Sequence, residues 1–196
     1  MSAAPGHYRI GPDQGRVLLR TFREGMASSV GHDLVIELPR WSAELVVAED
    51  SALDHAAATS LTARLDLASL VVREGTGGVK PLTDRDKREI AHTARKLLET
   101  DRHPEAVFAS SAVTVSVSDG RGGGTVDGTL TLLGVDRPAR LEFTRLDDGR
   151  YRITTRILQS AYGIKPYSAF FGALKLKDAV EAQAEAVLGE PAGERP

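Results

Sequence analysis

The sequence has no cysteine, few aromatic residues and no long apolar run. Without cysteine, the 196-residue chain forms no disulfide, offers no thiolate nucleophile and binds no metal through sulfur. No stretch approaches the roughly 20 apolar residues that span a bilayer, so we expect no transmembrane segment. A formal net charge of −2 argues against a nucleic-acid partner. The first residues also lack the basic start and apolar core of a signal peptide, which predicts a cytoplasmic protein.

The composition is that of an ordinary globular domain, with 41% hydrophobic and 27% charged residues. The length suits one domain. We assign that domain to residues 1–188 and predict that residues 189–196 form a disordered tail. The sequence leaves the oligomeric state open, and a homodimer is one of the alternatives.

Alternation of apolar and polar residues dominates the chain and predicts β-strands. The clearest example is a hairpin, with alternation over residues 125–132, a turn predicted at 134–138 and alternation again from Leu141. A flexible hairpin loop is predicted just before it, at 119–124. The other strand candidates cover 16–23, 32–38, 41–48, 59–67 with an apolar continuation to 72, 106–117, 151–158 and 178–188.

One α-helix is predicted from about Thr83 to Thr100. Thr83 has the residue type of an N-cap, and Asp84 and Asp86 follow where carboxylates favour the free N–H groups. The apolar residues at helical spacing are Ile90, Ala94, Leu97 and Leu98. This narrow stripe predicts a helix that lies on a sheet or over a barrel end. About eight antiparallel strands with one inserted helix favour a mainly β barrel, with a sandwich as the alternative.

Three segments of the chain, in this order, resemble the YceI-like family of polyisoprenoid- and lipid-binding proteins. They are DRHPEAVFAS (101–110), which follows the charged helix, GTLTLLGVDRPARLEF (128–143) and SAYGIKPYSAFFGALKLKDAVEAQAEAVL (160–188). The resemblance covers roughly residues 84–188. It implies an extended, lipocalin-like antiparallel barrel whose elongated apolar interior holds an isoprenoid or other lipid chain. It implies binding rather than a shared catalytic mechanism.

The inward-facing side chains of the predicted strands are the candidate ligand-binding residues. Small inward residues such as Ala184 leave volume that larger side chains fill or a ligand occupies. Charged residues of the opposite parity, such as Arg140 and Glu181, support this choice of inside and outside, which a register error of one would reverse. We expect the lining to include Leu34, Ile36, Leu61, Leu65, Leu130, Leu132, Phe143, Ile153, Val180 and Ala184.

An aromatic segment, residues 160–172, is the candidate entrance to the interior. Tyr162, Tyr167, Phe170 and Phe171 lie within ten residues, bounded by glycine and interrupted by proline. We predict that these rings contact a ligand, and the alternative is that they plug one barrel end as permanent core. The tyrosine hydroxyls are suited to meet a headgroup or water.

Catalytic and metal sites have little support in the sequence. The five histidines lack the short spacings of a metal site, and no serine lies in a Gly-x-Ser-x-Gly motif. We therefore predict no metal, no cofactor other than an apolar ligand, and no catalytic residue. His32 and Asp33 are the exception among these residues. A His–Asp pair beside a strand is suited to bond a polar headgroup, so we predict that they contact the headgroup of a ligand.

The sequence therefore favours a non-enzymatic protein that sequesters or transports an apolar lipid or isoprenoid-type small molecule. One alternative is an enzyme that acts on an apolar metabolite in the same cavity, with His32, Asp33 and Tyr162 as its candidate acid or base groups. The other is a filled barrel that acts through its outer surface on a protein partner.

Overall fold

The structure, a computed structural model, describes residues 4–48, 59–118 and 121–191. Most of the tail predicted at 189–196 therefore lies outside the described residues. The strands are β1 (Gly6–Ile10), β2 (Gly15–Thr21), β3 (Arg23–Glu24), β4 (Asp33–Glu37), β5 (Trp41–Val47), β6 (Ser60–Asp66), β7 (Val71–Thr76), β8 (Glu105–Ser118), β9 (Arg121–Leu132), β10 (Val135–Arg145), β11 (Tyr151–Leu158), β12 (Ser168–Ala169), β13 (Leu174–Leu176) and β14 (Ala179–Ala186). The helix α1 spans Asp84–Leu97.

Eleven of these strands form one antiparallel sheet in the order β1-β5-β6-β8-β9-β10-β11-β14-β2-β4-β7. The sheet curls into a lipocalin-like half-barrel, which confirms the predicted fold class. The predicted number of about eight strands is too low. The three short strands β12, β13 and β3 pair in that order as a separate small sheet.

The alternation in the hairpin of β9 and β10 separates an apolar inner face from a charged outer face. Val126, Leu130 and Leu132 are buried in the apolar core. On the outer face, Nε of Arg140 donates to Oδ1 of Asp127 at 2.7 Å. The pleat of a strand sends successive side chains to opposite faces, so this sequence pattern is enough to orient both strands.

The turn between β9 and β10 is tighter than the sequence predicts. Leu133 and Gly134 have φ of 52° and 72°, as in the two-residue turns that match the twist of paired strands. The turn predicted over 134–138 is wrong, because β10 begins at Val135. Pro138 lies in β10 opposite Thr129 of β9, and the pairing with β11 begins only at Glu142. Pro138 therefore lies where this strand has a neighbour on one side, and its missing N–H disrupts no ladder there.

A β-bulge in β8 breaks the strict alternation predicted over 106–117. The register with β9 shifts between Ser110 and Ala112. Phe108 before the bulge and Val113 after it are both in the buried core, although their sequence numbers differ in parity. The extra residue of a bulge resets which side chains face inward.

The loop predicted at 119–124 is also corrected, because β9 already begins at Arg121. Residues 119 and 120 lie outside the described residues. Gly123 and Gly124 pair with β8 on one side and with β10 on the other. A Cβ on Gly124 would lie 2.9 Å from the Phe143 ring, so glycine permits this close approach.

The apolar run predicted to continue from 59–67 to residue 72 is two strands. A short 3-10 turn at Leu67–Ser69 separates β6 from β7. Oδ1 of Asp66 accepts a hydrogen bond from the Ser69 N–H at 3.1 Å, and the Ser69 hydroxyl donates to the Asp66 carbonyl at 2.6 Å. These side-chain bonds compete with strand pairing and interrupt the strand there.

The helix begins as the sequence predicts. Thr83 is the N-cap, and its hydroxyl accepts from the Asp86 N–H while the Asp86 carboxylate accepts from the Thr83 N–H. Near its other end, the Arg95 guanidinium donates to the carbonyls of Ala68 and Leu70 at 2.9 and 2.8 Å. These bonds attach α1 to the turn before β7.

Within the described ranges, no helix is long and apolar enough to cross a membrane.

Candidate ligand-binding cavity

A cavity of about 1310 Å³ occupies the interior of the curled sheet. This volume exceeds the roughly 300–1,000 Å³ of most small-molecule pockets. Its wall is drawn from nearly every strand of the main sheet and from one side of α1, and it is mostly apolar. The interior therefore combines a large volume with a mostly apolar surface.

Small residues create this space in one part of the wall and not in another. Ala182, Ala184 and Ala186 of β14 all line the cavity. Gly128 of β9 leaves no such room, because a Cβ there would lie 2.6 Å from Cζ of the Phe108 ring. Both outcomes considered for small inward residues are therefore present: a neighbouring ring fills the space at Gly128, while the alanines of β14 border open volume.

Most of the predicted ligand-binding residues lie on the cavity wall. The structure brings together Leu34, Ile36, Leu61, Leu65, Leu130, Leu132, Phe143, Ile153, Tyr167, Val180 and Ala184, together with His32. These residues come from β4, β6, β9, β10, β11 and β14, and from the segments around them. Contact of each with a ligand stays a prediction.

The aromatic segment 160–172 divides between three environments. Tyr167 lines the cavity, whereas Tyr162 is buried in the packed core, where burial raises the pKa of its phenol above the ordinary value. Phe170 and Phe171 are exposed to solvent outside the lining. Both residues have a positive φ, 51° and 54°. The segment is therefore neither one aromatic entrance nor one plug.

The predicted His–Asp pair also separates. Nε2 of His32 lies 2.8 Å from the Lys80 carbonyl oxygen, and the ring borders the cavity. Asp33 is outside the lining, and its Oδ1 accepts from the Arg23 N–H at 2.8 Å. His32 thus borders the cavity with its Nε2 against the Lys80 carbonyl, while the carboxylate of Asp33 is bonded outside the lining.

Polar residues border the cavity at this same end. Arg23 and Lys80 join His32 in the lining. The Arg23 guanidinium donates to the carbonyls of Gly31 and Thr76 at 3.1 and 2.7 Å, which fixes its position. The end formed by β3 and residues 77–82 is therefore polar, with Asp86 and Glu89 of α1 also in the lining, whereas most of the wall is apolar.

Residues of α1 also line the cavity, and the sequence predicted them only as the apolar stripe of a helix. Ile90, Ala94, Leu97 and Leu98 all border the cavity. Their helical spacing predicted that one face would be buried, but it could not identify the surface they would cover.

Trp41, Ala43 and Leu45 of β5 also line the cavity wall. The alternation of apolar and polar residues over 41–48 was a sufficient signal to find them.

The lining contains the acids Asp86 and Glu89, and each accepts a hydrogen bond from a residue at the start of α1. Asp86 is the partner of the N-cap, and the hydrogen bonds from Thr83 hold the pKa of this carboxyl below its ordinary value. In the described part of the chain, no group of three His, Asp or Glu residues is arranged to hold a metal ion.

Comparison with known proteins places this architecture in a family. The sequence model of the YceI-like domain matches residues 8–188, which confirms the resemblance. BcnA of Burkholderia cenocepacia is 17% identical, and the alignment covers 90% of this chain and 97% of that one with a TM-score of 0.61. A mutant YceI protein of Campylobacter jejuni is 15% identical, with coverages of 79% and 85% and a TM-score of 0.50. At these identities the two structures show a shared fold. No curated protein matches the chain.

Proposed function

The chain belongs to the YceI-like family, and we propose that it binds an elongated lipid or isoprenoid-type molecule in the barrel interior without catalysing a reaction on it. The observation that carries this proposal is the mostly apolar cavity of about 1310 Å³. Each buried CH₂ group of a ligand contributes about 0.8 kcal/mol, so a long hydrocarbon chain gains affinity from its length alone.

The distribution of polar residues supports one orientation of the ligand. Arg23, His32 and Lys80 border one end of the cavity, while the alanines of β14 border its apolar part. A molecule with an apolar body and one polar end would match both regions. We therefore propose that its polar end lies near His32, and that Asp33 contributes by holding the Arg23 backbone.

The positions of the candidate catalytic groups support binding over the enzymatic alternative. Tyr162 lies in the packed core outside the cavity lining. The Asp33 carboxylate accepts a hydrogen bond from the Arg23 backbone N–H. His32 borders the cavity, whereas Asp33 does not. These three groups do not converge on one point of the cavity, as an acid and a base acting on one substrate would need to do.

A pair of adjacent substitutions in β9 tests the proposal. Leu130 faces the cavity and Thr129 faces solvent. In Leu130→Trp, the larger ring fills the lumen, and we expect the affinity for a fluorescent prenyl or fatty-acyl probe to fall by about tenfold or more. Thr129→Trp adds the same ring on the outside and leaves the affinity unchanged. Circular dichroism melts of both variants check that each is folded.

Two results would contradict the proposal. One is a wild-type protein that takes up neither prenyl nor acyl probes. The other is an equal loss of uptake in the Leu130 and Thr129 variants when both retain the wild-type melting temperature.

A further inference from the structure

Two phenylalanines project into solvent from the tip of the hairpin between β12 and β13. The turn is closed by the Ala173 N–H, which donates to the Phe170 carbonyl at 3.1 Å. Phe170 is 65% exposed, and Phe171 is fully exposed. Both have the positive φ that bulky residues normally avoid. The backbone therefore adopts an unfavourable conformation and leaves two large rings in water.

A third exposed apolar residue lies on the turn that is hydrogen-bonded to the hairpin tip. The Ala27 N–H donates to the Ala173 carbonyl at 2.9 Å, which joins the turn after β3 to the hairpin tip. Met26 precedes Ala27 and is 95% exposed. We call Met26, Phe170 and Phe171 the apolar tip. Single exposed apolar residues need no explanation, but a cluster of large ones marks an interaction surface.

The segment that carries Phe170 and Phe171 has lysines as its only charged residues. Residues 160–177 contain Lys165, Lys175 and Lys177 and no Asp or Glu, although the whole chain has a net charge of −2. All three lysines are exposed. Lys175 is next to the tip, since a Cβ on Gly172 would lie 3.3 Å from its Cε. Glu24 is opposite Lys175 in the small sheet. The segment that carries the tip is thus cationic, with Glu24 as the acid paired with it in the small sheet.

The apolar tip lies at the rim of the cavity. The same small sheet that carries it contributes Leu174 and Leu176 of β13 to the cavity wall. Val30 and Val79 both border the cavity and are exposed, which locates an opening at this end. Lys80, also exposed, follows Val79. An object that contacted the tip would therefore lie next to this opening.

We propose that the apolar tip inserts into an anionic lipid surface, with Lys80, Lys165, Lys175 and Lys177 against the headgroups. Aromatic and methionine side chains enter the boundary between headgroups and acyl chains, and lysines beside them are attracted to anionic lipids. Docking in this way places the opening of the cavity against the membrane. The exchange of an apolar ligand between membrane and cavity rests on the proposed function, whereas docking itself does not.

Flotation with lipid vesicles tests the docking. Wild-type protein is expected to float with vesicles of phosphatidylcholine and phosphatidylglycerol, to bind pure phosphatidylcholine less, and to dissociate as salt is raised. Phe171→Gly removes one ring, and we expect it to lower partition into anionic vesicles by about tenfold. Glycine adopts the φ of 54° at residue 171 without strain. An unchanged or higher melting temperature would show that lost binding is not lost folding.

Two matched controls separate the tip from the rest of the surface. Val187→Ser removes an exposed apolar side chain at the end of β14 and is expected to float as the wild type does. Lys175→Gln is expected to weaken flotation, whereas Lys96→Gln, an exposed lysine of α1, is expected to leave it unchanged.

Three results would overturn docking. The first is no flotation of the wild type, and the second is equal flotation of the wild type and Phe171→Gly. The third is self-association of the wild type in sedimentation that Phe171→Gly abolishes. That result would mean that a second copy of the chain, and not a membrane, occupies the tip. Probe uptake measured without vesicles keeps the two proposals distinguishable. Uptake without flotation contradicts docking alone, and flotation without uptake contradicts the proposed function alone.

Discussion

Nε of Arg152 on β11 donates a hydrogen bond of 2.8 Å to Oε1 of Glu185 on β14. Arg150 donates to Oε2 of the same carboxylate at 2.9 Å, and Arg16 of β2 lies 3.7 Å away. The Glu185 side chain is only 5% exposed, although it is on the outer face of the sheet. The arginines bury this acid and join β11, β14 and β2 through it.

This cluster predicts a loss of stability in acid. Burial alone opposes ionisation of Glu185, but the hydrogen bond and charge of Arg152 and the charge of Arg150 outweigh it, so the pKa lies below its ordinary value. The unfolded pKa is about 4.3, so the ionised form contributes stability above that pH, and the contribution is lost as pH falls through the folded pKa. Glu185→Gln is expected to lower the free energy of unfolding at pH 7 by about 1–3 kcal/mol and to flatten its decline in acid. Urea denaturation at a series of pH values measures both.

Glu181 is the matched control for Glu185. It is on the same face of β14 but 46% exposed, and Nη2 of Arg156 lies 3.5 Å from its Oε1. Exposed ion pairs contribute little, so Glu181→Gln is expected to change stability by less than about 1 kcal/mol. Equal effects of the two substitutions would show that burial of Glu185 has no energetic consequence.

Two glycines of β9 are expected to respond differently to alanine. In Gly128→Ala, the new methyl would overlap the Ala109 carbonyl oxygen and lie 2.6 Å from the Phe108 ring. We expect a destabilisation of about 1–3 kcal/mol from this overpacking. At Gly122, a Cβ would meet no described atom within 4 Å, so Gly122→Ala is expected to be close to neutral. Thermal denaturation of both variants distinguishes tight packing from a general need for glycine in this strand.

The N-cap of α1 offers a third test. Thr83→Ala removes the hydroxyl that accepts from the Asp86 N–H, and we expect a loss of about 1 kcal/mol. The Thr93 hydroxyl instead donates to the Glu89 carbonyl within the helix at 3.0 Å. Because alanine is the better helix former, Thr93→Ala is expected to be neutral or slightly stabilising. Chemical denaturation that showed the reverse order would contradict the capping assignment.

Local patterns of the sequence were sufficient for the helix and for the orientation of most strands. Thr83 and Asp86 mark the start of α1 because the capping bonds join residues three apart. The alternation over 178–188 correctly separates Ala184, which lines the cavity, from Glu181, which is paired with Arg156 outside. Both features depend on neighbours in sequence, and this explains why they were predictable.

Other features depend on partners distant in sequence. The bulge in β8 is defined by its register with β9, and the two-residue strands β3 and β12 exist only by pairing with β13. The backbone at Phe170 and Phe171 adopts positive φ values that these residue types disfavour, so their composition suggested an entrance rather than a projecting tip. The cavity volume likewise depends on the curvature of the whole sheet.

Native mass spectrometry of the purified protein, followed by organic extraction of anything bound, tests the central claim most directly. We predict a wild-type complex that carries an apolar molecule of defined mass, and the loss of that mass in Leu130→Trp but not in Thr129→Trp. A wild-type mass equal to that of the bare chain, with no uptake of added prenyl or acyl lipids, would contradict the claim that the barrel interior is a binding site.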